Sequence, residues 1–258
     1  TKFASALGKE IASDTLLSAW EAEGVDCSLV LRHPDRKAGS YAIELNDAGE
    51  RSFQYDRANS AARAMFDCVS EEWIEQAVAA DLFLFSLISL AILPDQDRAR
   101  MLDIAARIRS KGGRVAFDGN YRPSLWENIE ATRHWHKQAV SVASIGLPTR
   151  EDEQLLHGTA DADAIAAHWS SAGCEEVIVK LGADGCRMPD RAILKPATVL
   201  APVDTSGAGD AFNAGYLAKR MRGASVTDAA ASGHQVAGGT IMRRGAIPQI
   251  DADYPRLS

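Results

Sequence analysis

From Ser70 onward the chain alternates short apolar runs with longer helical patterns, and this alternation restricts the fold more than any other feature. The runs at 82–87, 114–117, 142–146 and 177–181 read as strands. The stretches at 95–110, 129–140 and 161–172 read as helices, and two more helices follow Gly209 and Thr227. Strand, helix and strand in succession make crossover units, which set neighbouring strands parallel and cover both faces of the sheet. Punctuation agrees with the pattern. Ser70 stands before Glu71 and Glu72, the acids of a first helical turn, and Lys111-Gly112-Gly113 closes the helix at 95–110.

The first sixty residues follow a different rule. Ser13 and Asp14 are placed to cap a helix through Trp20 that Gly24 ends. Segments 28–32, 39–45 and 51–57 then alternate polar and apolar residues, with Asn46-Asp47-Ala48-Gly49 as a turn, and predict a small half-exposed antiparallel sheet within 28–60. The chain opens on Thr1 with what reads as a strand and loop from mid-domain, so an N-terminal segment is expected to be missing from an otherwise single domain over 1–258. A length of 258 residues, 46% of them hydrophobic, is enough for one large core.

Composition excludes several functions. The net charge of -7 and the absence of basic runs argue against nucleic-acid binding, so anionic ligands must be met by a few local Arg and Lys residues. Cys27, Cys68, Cys174 and Cys186 lack C-x-x-C spacing; free thiols in a reducing cytoplasm are expected, and a zinc site is not. His134 and His136 are two apart on a predicted helix, face different ways, and read as surface histidines. The longest apolar run, 82–93, is too short to span a bilayer.

Chemistry concentrates in Val203-Asp204-Thr205-Ser206-Gly207-Ala208-Gly209-Asp210-Ala211-Phe212. Two glycines at a turn let backbone N–H groups approach a ligand, and the helix start behind them favours phosphate oxygens. An acid there repels an anion, which makes sense if Asp210 takes a proton from a hydroxyl while the amides of Gly207, Ala208 and Gly209 hold a phosphoryl group. Asp118-Gly119-Asn120-Tyr121-Arg122, Gly182 to Gly185 and Gly207 to Asp210 all follow predicted strand ends, so three loops are expected to converge at one sheet edge.

The string D-T-S-G-A-G-D-A-F-x-A-G resembles the signature of the ribokinase-like (phosphofructokinase-B) sugar kinases. Phe117-Asp118-Gly119-Asn120-Tyr121-Arg122-Pro123 with Leu125-Trp126, Ala22-Glu23-Gly24-Val25-Asp26, Gly49-Glu50-Arg51 and Ile88 to Leu93 resemble the keto-deoxy sugar-acid kinases of that family. The resemblance implies a ribokinase-like, doubly wound, mainly parallel sheet flanked by helices, with a small antiparallel β lid through which two chains pair. It implies ATP and Mg²⁺, leaves room for a monovalent cation, and makes Asp210 the base. It also implies Arg122, Asn120, Tyr41, Tyr55 and Arg57 as sugar-acid contacts, and Lys180, Gly182, Gly185, Thr205, Gly207, Gly209 and His234 as nucleotide contacts. Asp152 and Glu153 fall on the segment that holds magnesium through water. A carboxylate-bearing sugar prefers guanidinium partners, which suits Arg122 and Arg57. A fructose, ribose or nucleoside kinase, or a non-catalytic member lacking its N-terminal segment, are the alternatives.

Overall fold

A computed structural model describes residues 1–45, 51–198, 200–248, 250–251 and 253–255, with the side chains of 41–45 and 51–56 outside the description. The Asn46–Gly49 turn therefore lies outside the described residues. Two compact units emerge, one made of Thr1–Asp81 and Ile88–Gly113, the other of Leu82–Leu87 and Arg114–Ser258.

In the first unit, β1 (Ser5–Leu7), α1 (Ile11–Ala22) and β2 (Val30–Arg32) form a crossover with β1 and β2 parallel. The sequence predicted the segment at 28–32 as part of the antiparallel sheet; its partner is instead β1, which places it across a helix from its neighbour and so makes it parallel. Glu10, not Ser13, occupies the N-cap of α1. Ser13 is fully buried, accepts from the Gly8 N–H at 3.1 Å and donates to Glu10. The hairpin β3 (Ser40–Leu45) and β4 (Arg51–Asp56) is antiparallel as expected, with Tyr41 directly opposite Tyr55. Next come α2 (Glu71–Val78), capped by Ser70 as its sequence proposes, the short α3 (Leu87–Ala91) and α4 (Asp95–Ser110).

The second unit holds a four-stranded parallel sheet in the order β5 (Leu82–Ser86), β6 (Arg114–Asp118), β7 (Ile145–Leu147) and β8 (Glu176–Val177). The remaining helices are α5 (Ile129–Val142), α6 (Arg150–His157), α7 (Ala162–Ser171), α8 (Ala208–Met221) and α9 (Val226–Ile241). The run at 177–181 is not one strand: after β8 the chain enters β9 (Val179–Lys180), which joins β10 (Cys186–Arg187) and β11 (Ile193–Leu194) in an antiparallel sheet. Residue 142 ends α5 instead of opening a strand.

Side-chain alternation shows how helices cover both faces of the parallel sheet. Ala116, Ile145 and Leu147 face one way and join Phe212, Tyr216, Leu217, Ala229 and Ala230 of α8 and α9 in a core. Phe117 faces the other way and stacks on Trp169 of α7 at 5.3 Å. On that second face Gly146, paired with Phe117, leaves room for the indole, since a Cβ there would lie 2.5 Å from Trp169 Cε3. Each such large side chain taken fully out of water contributes about 1.5–3 kcal/mol.

Candidate active site at the carboxyl ends of the sheet

Asp118 is the last residue of β6 and is nearly inaccessible to solvent. An isolated carboxylate cannot stay charged there, and two side chains answer it. Lys180, at the end of β9, donates from Nζ to Asp118 Oδ1 at 2.9 Å, and Asn213 of α8 donates from Nδ2 to Asp118 Oδ2 at 2.8 Å. Lys180 also donates to Asn213 Oδ1 at 3.2 Å, closing a buried triangle. The triangle ties two strand ends to the first turns of α8, because Asn213 lies one turn beyond Gly209 and Asp210 on the same side of the helix. The Cβ position of Gly209 is 3.7 Å from Lys180 Nζ.

Gly207 forms the N-cap of α8 with φ of 74°, and a Cβ at that position would lie 2.7 Å from the Ala246 carbonyl oxygen. Only glycine meets both requirements. Ala208 donates to the Thr205 carbonyl at 3.2 Å. Asp204 fixes the bend by accepting from the N–H groups of Ser206 and Gly245, each at 2.9 Å, and these bonds hold its carboxyl down at about 2. Gly207 has no side chain with which to cap the helix, so the first-turn N–H groups beyond Ala208, whose own N–H is taken by Thr205, remain donors for a ligand. The helix begins at Ala208, ahead of the Gly209 after which its sequence predicts it.

Asp210 sits in that first turn and keeps part of its surface open to solvent. The protein packed around it, and then the charge of Asp118, push its carboxyl above the usual carboxylate range, with Lys180 and Arg122 pulling the other way. Asp152, near the start of α6, is pushed up for similar reasons: burial first, then Asp118, against Arg122, the Tyr121 backbone and Lys180. Arg122 Nη1 lies 3.7 Å from Asp152 Oδ1 and donates to the Tyr121 carbonyl at 2.7 Å. Three carboxylates (Asp118, Asp152, Asp210) and two cations (Lys180, Arg122) thus share one field with an excess of negative charge. Asn120 enters this loop with φ of 25°, an unusual conformation for a residue with a side chain.

The remaining candidates have the following surroundings. Glu153 does not face this cluster: it is 2% exposed, accepts from Trp169 Nε1 at 2.9 Å, and sits 3.3 Å from His136 Nε2. Consecutive residues on a helix point about 100° apart, so Asp152 and Glu153 serve different surroundings, and the magnesium role expected for Glu153 is withdrawn. Gly185, with φ of 105°, is explained by a Cβ that would meet the Leu194 backbone, and Gly182 opens the 3₁₀ turn between β9 and β10. His234 donates from Nε2 to the Leu194 carbonyl at 3.0 Å and packs edge-on against Phe212. Tyr41, Tyr55 and Arg57 belong to the first unit; the side chains of the two tyrosines lie outside the description, and Arg57 is exposed.

The sequence places Asp118 in a loop expected to converge on the site but gives it no role, and Asn213 is absent from the expected set, although its spacing of three from Asp210 marks the same side of the helix. His136 is corrected outright: it is fully buried, and it gathers with His157 and His168. His134 does lie exposed.

Residues 1–253 match the family described as pfkB family carbohydrate kinase. The chain belongs to this family. Among curated pfkB-family relatives, the 2-dehydro-3-deoxygluconokinase of Dickeya dadantii (strain 3937) is 38% identical over 257 residues, covering 97% of this chain and 83% of that protein. The 2-dehydro-3-deoxygluconokinase of Escherichia coli (strain K12) is 39% identical over 252 residues, covering 95% of this chain and 82% of that protein. Among solved structures, the aminoimidazole riboside kinase from Salmonella enterica, complexed with aminoimidazole riboside and an ATP analog, superposes with a TM-score of 0.78 at 25% identity, over 95% of this chain and 80% of that one. The pfkB-family fold expected from the motifs, a helix-flanked parallel sheet with a small antiparallel hairpin, is thereby established. The four cysteines form no disulfide, and no helix among the described residues is long and apolar enough to cross a membrane.

Proposed function

We propose that this pfkB-family protein transfers the γ-phosphoryl group of ATP to the terminal hydroxyl of 2-dehydro-3-deoxygluconate, giving the 6-phosphate and ADP. The observation that carries the reaction type is the Asp210 carboxylate in the first turn of α8, beside the Gly207 bend and within the electrostatic reach of Asp118, Lys180 and Arg122. The relatives named above support the acceptor.

The residues fit the nucleotide and its cation. A helix start with uncapped N–H groups and glycine backbone suits phosphate oxygens. Burial first, and then the charge of Asp118, raise the proton affinity of the Asp152 and Asp210 carboxyls, a setting that a divalent cation relieves. Asp152 would hold that ion through water. Magnesium, when bound, neutralises charge on the phosphate oxygens.

Asp210 accepts the proton of the terminal hydroxyl, whose oxygen forms a bond to the γ-phosphorus as the bond to the ADP oxygen breaks. The N–H groups of Gly207 and Gly209 hold the transferring oxygens in line. Lys180 bonds to Asp118 and Asn213 and so fixes the rotation of α8; in this reading its nucleotide role is to position the helix. Arg122 offers a guanidinium to the sugar carboxylate, with Asn120 beside it. Tyr41, Tyr55 and Arg57 are proposed sugar contacts, Thr205, Gly182, Gly185 and His234 nucleotide contacts, all by family resemblance. β3 and β4 pair only with each other among the described residues, so an exposed hairpin edge supports pairing of two chains, which light scattering would test.

ADP release measured with the sugar acid, fructose, ribose and a nucleoside tests the acceptor. Arg122→Ala should raise KM for the sugar acid much more than for a neutral sugar. Equal effects on both would remove carboxylate recognition from Arg122.

A further inference from the structure

The second unit contains a group of imidazoles that phosphotransfer does not use. His136 of α5, His157 at the end of α6 and His168 of α7 each direct a ligand-capable atom into one space, all within 4.8 Å of one another. The rings are close: His157 centres 4.9 Å from both His136 and His168.

We infer that His136, His157 and His168 form a binding site for a first-row divalent metal of the zinc type, which staples α5, α6 and α7 together. Three features carry this. First, bonds of about 2.0–2.1 Å at tetrahedral angles put neighbouring zinc-bound nitrogens about 3.3 Å apart, and His136 Nδ1 and His157 Nε2 are 3.3 Å apart. Second, a carboxylate stands at the outer side of the buried ligand. Glu153 Oε1 lies 3.3 Å from His136 Nε2, which makes no hydrogen bond here, and is itself held by Trp169 Nε1; a proton on Nε2 would face this carboxylate and leave the lone pair of Nδ1 toward His157. Third, a proton shared between His136 and His157 leaves the exposed His168 nitrogen to solvent, whereas one cation would take all three.

The donor set selects the metal. Nitrogen-only ligands suit zinc, nickel or copper and are wrong for magnesium, which demands oxygen. His136 is buried, His157 half-buried and His168 exposed, so an ion has an entry path and a fourth position open to water. Because α6 carries both Asp152 near its start and His157 at its end, the metal would hold the helix that presents Asp152.

Calorimetry with zinc chloride on the untagged, chelator-stripped full chain is the test, paired with the visible spectrum of cobalt(II) and with thermal melting. Expected are one ion per chain, an intense tetrahedral cobalt spectrum, and a zinc-dependent rise in melting temperature. His168→Ala, at an exposed position that should leave the fold intact, should abolish all three, as should His157→Ala. Glu153→Gln should weaken zinc binding about 10–100-fold, the scale of losing an outer partner. Absence of stoichiometric zinc binding in the wild type, or binding by His168→Ala equal to wild type, overturns the site.

Discussion

Replacing Asp210 by Asn separates the chemistry of this residue from its place in the fold. The amide has the shape of the carboxylate and cannot accept the hydroxyl proton, so kcat should fall by about 10²–10⁴, which is about 3–5 kcal/mol of transition-state stabilisation. Stability should move the other way. Burial and Asp118 raise the carboxyl's affinity for protons, so the charged form is disfavoured in the folded chain; above both its folded and its unfolded pKa the ionised Asp210 costs stability, and a neutral amide removes that cost. The variant should therefore melt at or above the wild-type temperature and bind ATP at least as well, having lost a negative charge near the phosphates. A coupled ADP-release assay, nucleotide calorimetry and a thermal melt measure the three quantities. The pH profile adds a check: the wild-type rate should fall on acidification at a pH above the ordinary aspartate range, and Asp118→Asn should move that limb downward, since Asp118 is one cause of the rise. Turnover within tenfold of wild type, or an unchanged acid limb in Asp210→Asn, would refute the base assignment.

Lys180→Met should cost about 3–5 kcal/mol in urea unfolding, because it leaves Asp118 buried and unpaired, and adding Asp118→Asn should recover part of the loss. Gly146→Ala should destabilise by about 1–3 kcal/mol through the clash with Trp169, and Trp169→Leu in the same chain should relieve it. Glu176 accepts from Tyr216 at 2.6 Å and from Arg220 Nη2 at 2.5 Å; burial pushes its carboxyl up, but Arg220, Tyr216 and Arg114 outweigh that and hold it below its ordinary value. That stabilisation is present above the unfolded pKa and disappears as pH falls through the lowered folded one. Glu176→Gln should thus cost about 1.5–3 kcal/mol at neutral pH, a difference that shrinks in acid when urea midpoints are compared.

The fold was legible where local pattern and burial agree. β6 reads as a buried strand because Val115, Ala116 and Phe117 are apolar on both faces, and α7 starts where Asp161 caps it through the Ala164 N–H. Partner choice was not legible. The alternation at 28–32 suits either direction of pairing, and only the crossover through α1 makes β2 parallel. Likewise the apolar run at 177–181 conceals a change of sheet between Val177 and Val179, which no periodicity marks. In the candidate site, Asp210 and Gly207 were visible because their motif is contiguous. Asn213 and Asp118 are 95 residues apart, and their hydrogen bond depends on a tertiary meeting. Glu153 was misplaced because a run of acids at a helix start gives no clue to which one turns inward. The histidines were missed for a related reason: they come from three helices, at spacings that match no local ligand pattern.

The Gly207 bend is assembled against a segment some forty residues downstream, where Ala246 closes over its Cβ side and Gly245 occupies the Asp204 carboxylate. Such a loop is not portable. Grafted alone onto another scaffold it would lose its back wall, and a protease that nicks the tail near Gly245 would loosen the phosphoryl cradle while leaving every motif residue in place.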